Sequence, residues 1–199
     1  MNIMKFDKRV ILEVMLLMVA LLDALYLTYH HYHINIMRPA VKSFCSINSF
    51  IDCDSVALSQ YSTLMGIPVS SLGIFAYAFV LLSYVFLKND CGEKIHLCLA
   101  GILGLMFIFS LYELWISFFI LKSVCLMCCV LYFCITLLFF MFIARLRQVW
   151  SKNLVKQIFV VCLFERKILM KIATFFNVAL FLAFGADRAF AQYFEKIHN

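Results

Sequence analysis

The chain has 199 residues, of which 65% are hydrophobic and 14% charged, with a formal net charge of +6. A soluble domain is about half apolar and about a quarter charged, so this excess excludes an ordinary water-soluble fold and places the chain in lipid. The positive charge does not mark a nucleic-acid binder, because the basic residues flank apolar spans, as the positive-inside rule explains.

Crossing a bilayer core of about 30 Å takes about 20 apolar residues in a helix, and five stretches qualify. The first, about Val10 to Tyr29, carries Glu13 and Asp23. It is long for the apolar region of a cleaved signal, and His30, His31 and His33 follow where small cleavage-site residues would stand, so a retained helix is expected. The three histidines suggest a metal site. No carboxylate or cysteine lies at ligand spacing beside them, so no metal is expected and solvation at the membrane interface is the expectation. A loop rich in Ser and Asn follows, holding Cys45 and Cys53. The second span begins at Ile67-Pro68 and continues to about Leu87, and the short loop after it holds Cys91. The third runs from about Ile95 to Leu121, with Cys98 near its start and Glu113 in its later half. The fourth starts near Cys125 and ends before Arg145, with Cys134 inside it. Leu154 to Leu163, which includes Cys162, is too short and too charged at its ends to cross, and reads as an interfacial connector. The fifth span is about Ile168 to Gly185, with Asp187 and Arg188 marking its outer boundary. The expected organisation is a four-helix membrane unit at 1–145, a basic connector at 146–167, and a fifth transmembrane helix with a short tail at 168–199. The fold class is all-α integral membrane.

With the N-terminus inside, only Arg38, Lys42, Lys122, Arg188 and Lys196 of the seventeen basic residues fall on outer segments, which supports this orientation. Topology then sorts the cysteines. Cys45 and Cys53 share the outer face with Cys125 and Cys128, where disulfides persist, and the others face reducing solvent or lipid. In Cys125-Leu126-Met127-Cys128, residues three apart on a helix fall within disulfide range, but so do Cys125 and Cys129, and helix geometry does not choose between them. A C-x-x-C pair at a helix N-terminus suits redox work, because free N–H groups and the helix dipole stabilise a thiolate. Ser123 is the expected N-cap, with Lys122 adding positive charge. Two small residues packing in a membrane helix would give the same pattern, and Cys45 and Cys53 alone would serve as a static staple. Two pairs on one face make a relay for thiol–disulfide exchange, which a staple does not require.

The segment Cys53-Asp54-Ser55-Val56-Ala57-Leu58-Ser59-Gln60-Tyr61, followed by Gly66-Ile67-Pro68, Gly73 and Tyr77, resembles the loop and second helix of the vitamin K epoxide reductase family. Tyr112, Trp115, Phe118 and Phe119 before Cys125-x-x-Cys128, with Tyr132 four residues on, resemble that family's third and fourth helices. The likeness covers about Val10 to Ile143. Disulfide oxidases of the DsbB type place their C-x-x-C in the first outer loop, so their order fits less well. The resemblance implies a four-helix bundle around a quinone, ubiquinone or menaquinone, with the fifth helix alongside. It implies that Cys45 takes electrons from a DsbA-like thioredoxin-fold protein, that Cys53 attacks Cys125, and that Cys128 faces the quinone. Tyr132 would be the quinone-facing tyrosine and Ser59 the loop hydroxyl near the site. Epoxide-reducing members carry an asparagine where this chain has Val69, so plain quinone reduction is expected. Bacterial members often continue into a thioredoxin-like domain, for which the residues after the fifth span are too few, so the partner is expected in trans, at the periplasmic side of a bacterial inner membrane. Asp23 and Glu113, ionisable groups in apolar spans, would either help protonate the reduced quinone or pair within the bundle. The same chemistry run outward would make a membrane reductant, and a non-enzymatic scaffold with a stapled loop would also hold Cys45 and Cys53.

Overall fold

A computed structural model describes residues 8–37, 42–64, 66–91, 94–149 and 166–198. Helix α1 (Lys8–Tyr32) is prolonged by a π-helical turn, His33–Met37. The short helix α2 (Cys53–Leu58) and an antiparallel ribbon of β1 (Thr63–Leu64) and β2 (Ile67–Pro68) lead into α3 (Val69–Cys91). Helix α4 (Lys94–Trp115) has a second π-helical extension, Ile116–Leu121, and α5 (Leu126–Val149) and α6 (Arg166–His198) follow. Lys8–Met37, Val69–Phe86, Leu99–Leu121 and Leu126–Arg145 are long and apolar enough to cross a membrane. Most of the expected connector, with Leu154–Leu163 and Cys162, lies outside the described residues, as do the side chains of Cys91 and Cys98.

Helices α1, α3, α4 and α5 close into a ring, each packed on two neighbours. In lipid, helices gain little from apolar burial itself and associate through close packing, which favours small residues at the contact. Leu17, Ala20, Ala24 and Thr28 repeat at helical spacing on α1 and are fully buried. Thr28 donates to Ser70 Oγ across the α1–α3 contact at 2.9 Å. Between α4 and α5, a methyl group on Gly104 would come within 3.1 Å of the Phe139 ring, and Phe107 stacks on Phe139 at 5.1 Å. Ile135, Leu138 and Phe142 of α5 fill the centre of the ring.

Glu13, the early charge in the first span, is buried at the end of the bundle opposite Cys45, Cys53, Cys125 and Cys128. Its carboxylate accepts from Tyr84 Oη and, at 3.2 Å, from Arg145 Nη1, which also lies 3.2 Å from Tyr84 Oη. An unpaired charge would be costly at that depth, and the Arg145 partner at the end of the fourth span answers it.

Helix α6 lies outside the ring against α3 and α1. Phe176 meets the edge of Phe75 at 5.1 Å, and Phe194 packs on Tyr29 at 5.3 Å. The expected boundary at Asp187 and Arg188 is not where the helix ends, since it continues to His198. Asp187 Oδ1 accepts from Tyr32 Oη at 2.8 Å and from Ser71 Oγ at 2.9 Å. The carboxylate therefore clasps α6 to α1 and α3, and no proline or glycine follows to stop the helix.

Candidate active site

The loop between α1 and α3 is organised by two aspartates on either side of Cys53. Asp52 is the N-cap of α2, in extended conformation. Its Oδ1 accepts from the N–H groups of Asp54 and Ser55 at 3.1 and 3.2 Å and from Ser46 Oγ at 2.8 Å, and its Oδ2 accepts from Lys42 Nζ at 3.2 Å. Burial works against its charge, but the bonds from Ser46, Ser55 and Lys42 win and hold the pKa at about 2. Asp54 accepts from the Ser43 N–H at 3.0 Å, from the Ser43 hydroxyl, and from His30 Nε2 at 3.1 Å. Burial again opposes ionisation, and the two Ser43 bonds outweigh it, so Asp54 also lies below the ordinary aspartate range. These bonds tie the residues flanking Cys45 to those flanking Cys53. The two cysteines are joined in a buried disulfide with Cα atoms 5.7 Å apart.

The approach to the second pair is equally constrained. After Leu121 the chain turns sharply at Lys122, which adopts a left-handed conformation with φ 51°, and the N–H groups of Lys122 and Ser123 both reach Ser117 O. Val124 then runs parallel to Ile51 as a β-bridge. Its N–H donates to Phe50 O at 2.7 Å, and its carbonyl accepts from the Asp52 N–H at 3.1 Å. Ser123 Oγ donates to Asp52 O at 3.2 Å. The residues just before Cys53 and just before Cys125 are thus sewn together.

As a result Cys45, Cys53 and Cys125 form one buried cluster, with Cys128, Met127, Val56 and Leu27 packed against it. The expected N-cap, Ser123, instead serves the cross-link to Asp52. Cys125 immediately precedes α5, and its Sγ accepts from the Cys128 N–H at 3.2 Å, as a capping side chain does. The hydrogen bond from the Cys128 thiol holds the Cys125 thiol below the ordinary cysteine value, helped by the N–H groups of Cys128 and Met127, against the opposing effect of burial. Cys125, Cys128, Cys129 and Cys134 are free thiols. Cys128 hydrogen-bonds the Cys125 sulfur through its thiol and its N–H, whereas the contact of Cys129 is through its backbone N–H to Cys125 O at 3.1 Å.

Tyr132 is half-buried one turn beyond Cys128, within electrostatic reach of Cys128, Glu113 and Cys125. Ser59 sits at the end of α2, where its hydroxyl donates to Val56 O at 2.8 Å. It therefore meets the cysteine cluster through Val56. The aromatic run before the C-x-x-C turns outward, with Tyr112, Trp115, Phe118 and Phe119 exposed. His30 is buried, not solvated, because it pairs with Asp54. Sequence reasoning missed the roles of His30, Ser43, Ser46, Asp52 and Asp54. An aspartate directly before a short helix is an N-cap signal and could have exposed Asp52, but the partners of Asp54 come from α1 and the far arm of the loop.

The Vitamin K epoxide reductase family model matches residues 11–143, more than half of the chain. The chain belongs to this family. A search of curated proteins gave no match. Membership and the four apolar helices make the chain an integral membrane protein of an oxidoreductase family, with thiol–disulfide exchange as the chemistry that membership suggests.

Proposed function

We propose that this member of the vitamin K epoxide reductase family oxidises a DsbA-like thioredoxin-fold protein acting in trans and passes the electrons to membrane ubiquinone or menaquinone. In this way it promotes disulfide formation at the periplasmic face of a bacterial inner membrane. One observation carries the proposal: the Ile51–Val124 bridge brings the oxidised Cys45–Cys53 pair into one buried cluster with Cys125, against which Cys128 packs. Residues 1–145 are the catalytic unit, a boundary supported by the family match at 11–143. The basic connector at 146–167 joins it to the fifth transmembrane helix within 168–199.

Once the loop opens and exposes the buried Cys45, a partner thiolate attacks it, the Cys45–Cys53 bond breaks, and the second partner thiol resolves the mixed disulfide. The partner leaves oxidised, and Cys45 and Cys53 are thiols. Cys53 then attacks Cys125 of a Cys125–Cys128 disulfide, and Cys45 resolves that link. This restores Cys45–Cys53 and leaves Cys125 and Cys128 as the dithiol. The depressed pKa of Cys125 makes it a good leaving group when Cys45 attacks Cys53. A bound quinone supplies an acceptor for two electrons and two protons. The surroundings of Cys128 fit such a ring. Tyr132 offers an aromatic face and a hydroxyl donor, and Asp23 Oδ2 is buried without a hydrogen-bond partner among the described residues. Loss of two electrons and two protons from Cys125 and Cys128 reforms their disulfide. Val69 at the start of α3, where epoxide-reducing members have asparagine, supports quinone over epoxide as acceptor.

Purified full-length protein in lipid, given a reduced thioredoxin-fold partner and a soluble quinone analogue, is expected to form quinol. Cys128→Ser is expected to abolish this, and unchanged turnover in that variant would overturn the proposal. Ser59 and Tyr132 are assigned supporting roles. Tyr132→Phe is expected to raise the KM for quinone with little change in Cys45–Cys53 exchange.

A further inference from the structure

The bundle interior beside the cysteines contains two carboxyls that the electron route does not use. Asp23 lies on α1 one helical turn before Leu27, which packs on the cysteine cluster. Glu113 lies on α4, at the opposite corner of the ring. Cys128 is within electrostatic reach of both, and so is Tyr77 of α3. Neither forms an ion pair among the described residues, in contrast to Glu13 with Arg145. Asp23 Oδ2 is buried with no hydrogen-bond partner among those residues. A polar atom left unsatisfied inside a membrane bundle is costly and calls for a reason. Glu13 shows that this fold can satisfy a buried carboxylate when structure is all that is required.

Resting on the proposed quinone reduction, we propose that Asp23 and Glu113 form a proton relay between the Cys125/Cys128 dithiol and the quinone. Converting a quinone to a quinol adds two protons as well as two electrons, in a region where water is scarce. Both protons are available from the two S–H bonds that break as the Cys125–Cys128 bond forms. Each carboxyl gives its proton to one quinone oxygen and regains one from a thiol, so the carboxyls are unchanged over the cycle. The electron pair moves from the sulfurs to the ring, and the two C=O groups become C–OH.

The test uses full-length protein in lipid, with dithiothreitol as reductant and a soluble ubiquinone analogue as acceptor. Asp23→Asn and Glu113→Gln are each expected to slow quinol formation by about 10²-fold, the lower range for loss of general acid–base assistance. They are also expected to raise the solvent deuterium isotope effect. Exchange between Cys45–Cys53 and Cys125–Cys128, read from acid-trapped redox states, should be unchanged, and Asp23→Glu should retain most of the rate. A readout independent of turnover is the infrared spectrum of dithiothreitol-reduced protein without quinone, in which the C=O band of a protonated carboxyl should be lost in each variant. Wild-type rates in both variants, or reduced protein with no protonated-carboxyl band that either substitution removes, would overturn the relay. If Cys128→Ser also kept full activity, the electron route itself would be wrong. If Asp23→Asn destabilises the bundle, the Asp23→Glu rate and the wild-type infrared spectrum still decide the matter.

Discussion

Asp52 is the residue on which the loop geometry turns. Its carboxylate binds Ser46, Asp54, Ser55 and Lys42 at once, and it titrates at about 2 although burial alone would push it upward. A carboxylate with a depressed folded-state pKa adds stability that is complete above its unfolded pKa and is lost as pH falls through the folded value. The window here runs from about pH 4 down to about pH 2, and a shift of this size corresponds to about 2 kcal/mol. Asp52→Asn should therefore melt earlier than wild type at neutral pH, and the gap should close as pH falls through that window. A constant gap in thermal unfolding would show that charge is not what holds the loop. Little of this was legible in the chain itself. The cap position of Asp52 is a local signal, but the hydrogen bond between His30 and Asp54 spans 24 residues, and the local pattern around the three histidines gives no hint of its partner.

Among the elements, the left-handed turn at Lys122 sets the direction in which Ser123 and Val124 leave α4. A side chain in this conformation carries a steric cost of about 1 to 2 kcal/mol that glycine avoids. Lys122→Gly should keep activity and raise the melting temperature slightly, whereas β-branched Lys122→Val should lower it and slow Cys53–Cys125 exchange. The clasp of α6 is a second element-scale device. Asp187→Ala removes the acceptor shared by Tyr32 and Ser71 and should cost about 1 to 3 kcal/mol. The loss should appear as faster protease cleavage near α6 with the four-helix ring intact. The spans were readable because an unbroken run of about 20 apolar residues matches the thickness of a bilayer core and is rare in water-soluble helices. The length of α6 was not, because the hydroxyls that satisfy Asp187 lie 155 and 116 residues away in sequence.

At the scale of the molecule, the bundle has a polar lock at one end and a sulfur cluster at the other. Arg145→Met would leave Glu13 buried without its cation and should destabilise the protein by about 3 to 5 kcal/mol, and adding Glu13→Gln should recover much of that loss. Membership of an all-α membrane family was readable from the order and spacing of the cysteines and their flanking residues. The sharing of one face by Cys45, Cys53, Cys125 and Cys128 was inferred from the distribution of lysine and arginine. The β-bridge that brings the pairs together was beyond reach, because Ile51 and Val124 meet through backbone atoms that carry no sequence signature. That contact is also where the functional account is most exposed. In Cys45→Ser, the link formed when Cys53 attacks Cys125 has lost the thiol that resolves it. Mass spectrometry of this variant, reduced at Cys53, oxidised at the second pair and quenched in acid, should find Cys53 joined to Cys125. Recovery of Cys125–Cys128 alone, with Cys53 still a free thiol, would contradict the exchange on which the proposed function rests.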